Sequence, residues 1–99
     1  MSEFKTKMEG AALLVAPEGI IDVNNAPAFH EAVSNSMAGV TEVIFDFADL
    51  DYISSAGLRV LLATQKALGV PGAVHVRNAS ADILEVLTIT KLSQFMTIE

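Results

Sequence analysis

Phe4, Thr6 and Met8 alternate with Lys5, Lys7 and Glu9, and an alternation of period two predicts a first strand with one face in water. Glu9-Gly10 turns the chain into Ala11 to Ala16, an apolar run ended by Pro17, so the two runs read as a hairpin. Glu18 to Asp22 reads as a bend. Beyond it Ala26, Phe29, Val33 and Met37 share one helical face, with Asn24 or Asn25 as cap, Pro27 in the first turn and Gly39 as the stop. Val43 to Phe47 is β-branched and aromatic, as a buried strand requires, whereas Leu58, Leu61, Leu62 and Leu68 return to helical spacing. Gly69-Val70-Pro71-Gly72 ends that helix. Ala73 to Arg77 supplies another strand, and Ser80 with Asp82 opens a third helix whose apolar face is Ile83, Val86 and Leu87. Gln94 to Ile98 adds a last strand. The order is therefore ββαβαβαβ. Alternating β and α elements require parallel crossovers, so the expected fold class is α/β: a mixed, mostly parallel sheet with helices packed on it and an antiparallel first hairpin.

Ninety-nine residues, 52% of them hydrophobic, suffice for one core and not for two, so residues 1–99 are expected to form a single domain. The absence of cysteine excludes disulfides and thiolate metal sites, and no cofactor motif is present. Six Lys and Arg against twelve Asp and Glu leave a net charge of −6, which argues against nucleic acid and anionic membranes as partners because both need clustered cations. No apolar run approaches the roughly 20 residues that cross a bilayer, and Met1 to Gly10 has no signal-peptide core. A soluble, cytoplasmic protein is expected, and a monomer, since no second apolar surface stands out.

The hydrophobic period changes from strand-like to helix-like across Asp49 to Gly57. Where a helix begins, its first N–H groups lack intrahelical partners and the macrodipole adds partial positive charge. A serine hydroxyl there is exposed, and a phosphate on it is electrostatically tolerated. Ser54 and Ser55 stand at this change, yet serine before a helix is ordinarily an N-cap, and position alone favours capping for either. Gly57 has an equally plain reading, relief of crowding where the helix meets the sheet. Asp49 and Asp51 are ordinarily solvated turn residues. Asp22 and Asp46, each framed by apolar residues, belong at strand ends, where open α/β sheets meet their partners, and both carboxylates are expected to flank Ser55.

The stretch Phe45-Asp46-Phe47-Ala48-Asp49-Leu50, followed by Tyr52-Ile53-Ser54-Ser55-Ala56-Gly57-Leu58-Arg59, resembles the signature of the STAS domain in its stand-alone bacterial form, the anti-sigma factor antagonist. Gly19-Ile20-Ile21-Asp22 is similar to the family's Gly-x-Leu/Ile-Asp, and Asp46 stands where the family commonly has Asp or Asn. Thr88-Ile89-Thr90-Lys91-Leu92 resembles the family's Ser/Thr-Gly-Leu segment with Lys91 in place of the glycine, so the third helix is expected to close in some other way. In that family a serine two positions before the Gly-Leu pair is phosphorylated by a kinase that doubles as the anti-sigma factor. Carried over, the acceptor is Ser55. Ser54 stands where the family often has Asp, and Ala56 where it often has Ser or Thr, which leaves Ser54 as a competing acceptor.

The resemblance implies a non-enzymatic binding module whose partner face comprises Asp22, Asp46, Ser54, Ser55, Ala56, Gly57, Leu58 and Arg59. Its partner would be an anti-sigma factor serine/threonine kinase that brings the phosphoryl donor and metal, since this chain has no Walker-type glycine run and no kinase motif. A phosphatase acting on phospho-Ser55 would reset the switch. The same module could equally govern a non-sigma target, such as a secretion or signalling regulator, or serve as a scaffold that is never phosphorylated.

His30 and His75 are the candidate bases for a hydrolase, but neither belongs to a motif that includes Ser55, and no Gly-x-Ser-x-Gly elbow is present. Asn78-Ala79-Ser80 matches a glycosylation sequon and reads as a loop leading to a helix cap. Met37 and Met96 fall at apolar positions, as core residues do.

Overall fold

The computed structural model describes residues 4–99. β1 (Phe4–Glu9) and β2 (Ala12–Pro17) form the antiparallel hairpin, with Glu9 opposite Ala12. Gly10 enters the turn at φ +64°, a left-handed conformation that costs glycine nothing because it has no Cβ. There follow β3 (Gly19–Ile21), α1 (Ala26–Ser34), β4 (Glu42–Asp46), β5 (Leu50–Ile53), α2 (Ser55–Leu68), β6 (Val74–Arg77), α3 (Ala81–Ile89), a 3-10 turn (Leu92–Gln94) and β7 (Thr97–Ile98).

A five-stranded sheet runs in the order β1-β2-β4-β6-β7, antiparallel at the hairpin and parallel thereafter. Residues opposite one another in a ladder share a face. One such row is Val15, Phe45, Val76 and Ile98, and another is Leu13, Val43 and Val74. These rows meet Ala26, Phe29 and Val33 of α1, Leu58 and Leu61 of α2, and Ile83 and Leu87 of α3 in one buried cluster. Phe4, Phe29, Phe45 and Phe47 run through it as a chain of rings with centroids 5.1, 5.7 and 5.9 Å apart. The opposite face, with Lys5, Lys7, Leu14, Glu42, His75 and Arg77, is turned to solvent.

The α/β class and the parallel crossovers are as expected, and four local expectations are corrected. Glu18 to Asp22 is more than a bend, and the acidic stretch after β4 more than a turn: β3 and β5 pair in parallel as a second, two-stranded sheet, extended by the Gly19 amide donating to the Asp49 carbonyl at 2.9 Å. α1 stops at Ser34 rather than running to Met37. The amides of Asn35 and Ser36 donate to Glu31 and Val33, Met37 folds back against the core, and Gly39, at φ +76°, turns the following loop. Asn25 precedes α1 but its side chain caps nothing in the helix. Its Oδ1 accepts from the Asp22 amide (2.8 Å) and its Nδ2 donates to the Ile20 carbonyl (2.8 Å). The last strand is only Thr97–Ile98, because Gln94 belongs to the 3-10 turn.

Candidate functional site

α2 begins where β5 ends, and the two serines at that junction have separate roles. Ser54, at φ −84° and ψ 173°, is extended. Its amide donates to the Ile21 carbonyl at 2.8 Å, which ties it to β3, and its Oγ accepts from the Gly57 amide at 3.4 Å. That is N-cap geometry. Ser55 is already the first helical residue; it is exposed, and among the described residues its hydroxyl has no hydrogen-bond partner.

Gly57 explains why Ser55 faces outward. A Cβ built on Gly57 would lie 2.6 Å from Ile53 Cγ1 and 2.8 Å from Ile21 Cγ2, so the first turn of α2 is pressed against both strands of the small sheet. At about 100° of rotation per residue, Ser55 stands roughly on the other side of the helix from Gly57. Crowding is thus a sufficient reason for glycine at this position.

Ser55 borders an open groove of about 210 Å³ that Leu58, Arg59, Leu62, Thr90 and Leu92 complete. On the other side of the same helix turn, Ala56, Arg59 and Val60 line a second groove with Val23, Ala26, Pro27 and His30 of the α1 region. Arg59 is the residue the two grooves share; it is exposed and makes no ion pair among the described residues. Leu58 is buried and shows the groove only an edge.

The two aspartates expected beside Ser55 lie in different turns. Asp22 directly follows the residue that receives the Ser54 amide, and its Oδ1 accepts from the amides of Asn24 (2.9 Å) and Asn25 (3.2 Å). Its carboxylate therefore fixes the β3–α1 turn next to the site. Asp46 ends β4 in the larger sheet, where its Oδ1 accepts from the Ala48 amide and from Asn78 Nδ2, both at 3.1 Å. That bond, with Asn78 at φ +58°, commits Asp46 to the turn after β6 rather than to Ser55.

Neither histidine joins the site as a base. His30 is within 3.4 Å of Ser34 Oγ on α1, and His75 lies on the outer face of the large sheet between Glu42 and Glu99. Among the described residues no group of three or more His, Asp or Glu could hold a metal ion, and no helix is long and apolar enough to cross a membrane.

Three apolar residues beside the site escape the sequence reading. Ile20 and Tyr52 are cross-strand partners on the small sheet, 49% and 56% exposed, and Val23 is 72% exposed in the turn that follows β3. The signal for them is short: in Gly19-Ile20-Ile21 one isoleucine is buried and its neighbour is not, which is strand alternation over too few residues to see without its partner strand.

The model of the STAS domain matches residues 3–99. No curated protein matches the sequence significantly. The fold is similar to the anti-sigma factor antagonist SpoIIAA in its unphosphorylated form, with a TM-score of 0.77 and 16% identity over 97% of this chain and 86% of that one. It is similar to an anti-sigma factor antagonist from Mycobacterium paratuberculosis, with a TM-score of 0.85 and 22% identity over 96% and 82%. The phosphorylated form of SpoIIAA, a Bacillus cell fate determinant, gives a TM-score of 0.76 and 21% identity over 97% and 90%. With a family model spanning nearly its whole length, the chain belongs to the STAS domain family.

Proposed function

We propose that the protein is an anti-sigma factor antagonist switched by phosphorylation of Ser55. Unphosphorylated, it docks on an anti-sigma factor serine kinase through Ser55, the Arg59 ridge and the exposed Ile20, Val23 and Tyr52, and the sigma factor is released. The observation that carries this reading is the division of labour at the junction: Ser54 holds the helix cap, which leaves the Ser55 hydroxyl exposed and, among the described residues, without a hydrogen-bond partner. In the transfer step the partner's ATP gives its γ-phosphoryl group to Ser55 Oγ, the hydroxyl proton passes to the kinase, and ADP leaves.

The phosphate adds about −1.5 to −2 charge at pH 7, on a chain already at −6. Like-charge juxtaposition and desolvation at an interface centre cost several kcal/mol. A loss of about 3–5 kcal/mol lowers affinity by roughly two to three and a half decades, enough to release the partner. The fold itself is expected to change little, because the start of a helix accommodates an anion. In support, this chain resembles the unphosphorylated and phosphorylated forms of SpoIIAA to the same degree, with TM-scores of 0.77 and 0.76.

The test is incubation with the cognate kinase and ATP, followed by intact mass measurement, phosphosite mapping and a binding assay. Ser55→Ala is expected to stay unmodified and bind constitutively, and Ser55→Asp to bind more weakly. A fully phosphorylated Ser55→Ala, or a phosphorylated protein that binds as tightly as before, overturns the proposal.

A further inference from the structure

Arg59 lies one helical turn after Ser55 on the continuous helix α2, and both residues line the same groove. Side chains four apart on a helix are neighbours. Lys5, Lys7 and Arg77 each hold a carboxylate, at 2.9, 3.7 and 2.6 Å. Arg59, exposed and with no ion pair among the described residues, has its guanidinium donors open.

We infer that Arg59 is the internal receptor for a phosphate on Ser55, so that modification closes an ion pair across the first turn of α2 and withdraws the guanidinium from the surface offered to a partner. The inference rests on the reading of Ser55 as the acceptor. The order along the helix is the favourable one, with the anion N-terminal to the cation at i, i+4 and therefore also at the positive end of the macrodipole. A guanidinium fork matches two phosphate oxygens, which a lysine ammonium does not. Phosphorylation then changes the docking face twice, by adding an anion at Ser55 and by removing a cation from the ridge between the two grooves. Among the described residues no other cation lines this groove: Lys66 is on the same helix about three turns beyond Ser55, and Lys91, between the lining residues Thr90 and Leu92, is not itself part of the lining.

The test uses the full chain with phosphoserine installed at position 55 during translation, so that no kinase is involved. The second ionisation of the phosphate is followed by phosphorus NMR in this protein and in its Arg59→Gln and Arg59→Lys variants. The native phosphate is expected to lose its last proton about 0.3 pH unit lower than in Arg59→Gln, with Arg59→Lys between them. The Arg59 Nε–H resonance is expected to move as the phosphate titrates. Identical phosphate titrations in the native protein and Arg59→Gln overturn the inference. Failure of the underlying reading has a different signature, a cognate kinase that leaves Ser55 unmodified, and the phosphorus measurement is independent of it.

Discussion

Ser54 is extended while Ser55 is already helical, and that one-residue difference separates a structural hydroxyl from a free one. Ser54→Ala removes the acceptor for the Gly57 amide; with a bond as long as 3.4 Å, the loss belongs near the lower end of cap substitutions, about 0.5–1 kcal/mol. Ser55→Ala removes no bond and is expected to stay within about 0.5 kcal/mol of the native protein. Urea denaturation of the two variants measures this, and the reverse order would exchange the two roles. Gly57 sets a second balance. Alanine gains about 1 kcal/mol of helix propensity, but its Cβ falls 2.6 and 2.8 Å from Cγ atoms of Ile53 and Ile21. Those atoms sit on branched Cβ carbons in two strands and have little room to give. Overpacking of this kind typically costs about 1–3 kcal/mol, so Gly57→Ala is expected to unfold at lower urea than the native chain despite the better helix former.

Lys91 carries the corresponding argument for an element. α3 ends at Ile89 with Thr90 as its C-cap, whose hydroxyl donates to the Val86 carbonyl at 2.8 Å, and Lys91 then takes φ +64° and ψ 12°. The expectation that replacing the family's glycine would force a different closure is wrong: the left-handed step is kept, and a residue with a Cβ occupies it. That conformation costs an L-residue roughly 1–2 kcal/mol, partly offset by the greater freedom glycine has in the unfolded chain. Lys91→Gly should therefore stabilise the protein by about 0.5–1 kcal/mol, seen as a rise of several degrees in Tm for a domain of this size; a fall in Tm would show that the lysine side chain holds something glycine cannot. The elements that were legible in the sequence were those with enough residues to display a period, namely the hairpin, β4, the three helices and β6. β3 and β5 span three and four residues, too short for a period, and each is a strand because of the other. Without β5 in view, neither the register that points Gly57 inward nor the partnership of Ile20 with Tyr52 can be read. The true end of α1 was hidden for a related reason, since Met37 continues the helical spacing by coincidence and reaches the core from a loop.

Across the whole molecule, the helices and the serine junction lie to one side of the large sheet, and charge organises the other. His75 Nε2 is 2.7 Å from Glu42 and Nδ1 is 2.9 Å from Glu99, whose second oxygen accepts from Arg77 Nε at 2.6 Å. The members come from β4, β6 and the residue after β7, 33 and 24 positions apart in sequence, which is why His75 looked like an isolated strand histidine. β7 has only two residues in its ladder. The Glu99 amide donates to the Val76 carbonyl at 2.8 Å and the Thr97 hydroxyl to the Gly72 carbonyl at 2.9 Å, and the side-chain network adds to the hold on this edge. The hydrogen bond from Arg77, and after it the one from His75, keep the Glu99 carboxyl below its ordinary value. A carboxylate whose folded value is depressed contributes stability that is complete above its unfolded value, about pH 4, and drains away as the pH falls through the lower folded value. Glu99→Gln should thus be less stable than the native protein at pH 7, with the gap closing as urea titrations are repeated downward from pH 5 to pH 2. Because the group is exposed, the gap should also shrink in 1 M salt. A gap that stayed constant with pH would mean that Glu99 holds the edge by its backbone and shape rather than by its charge.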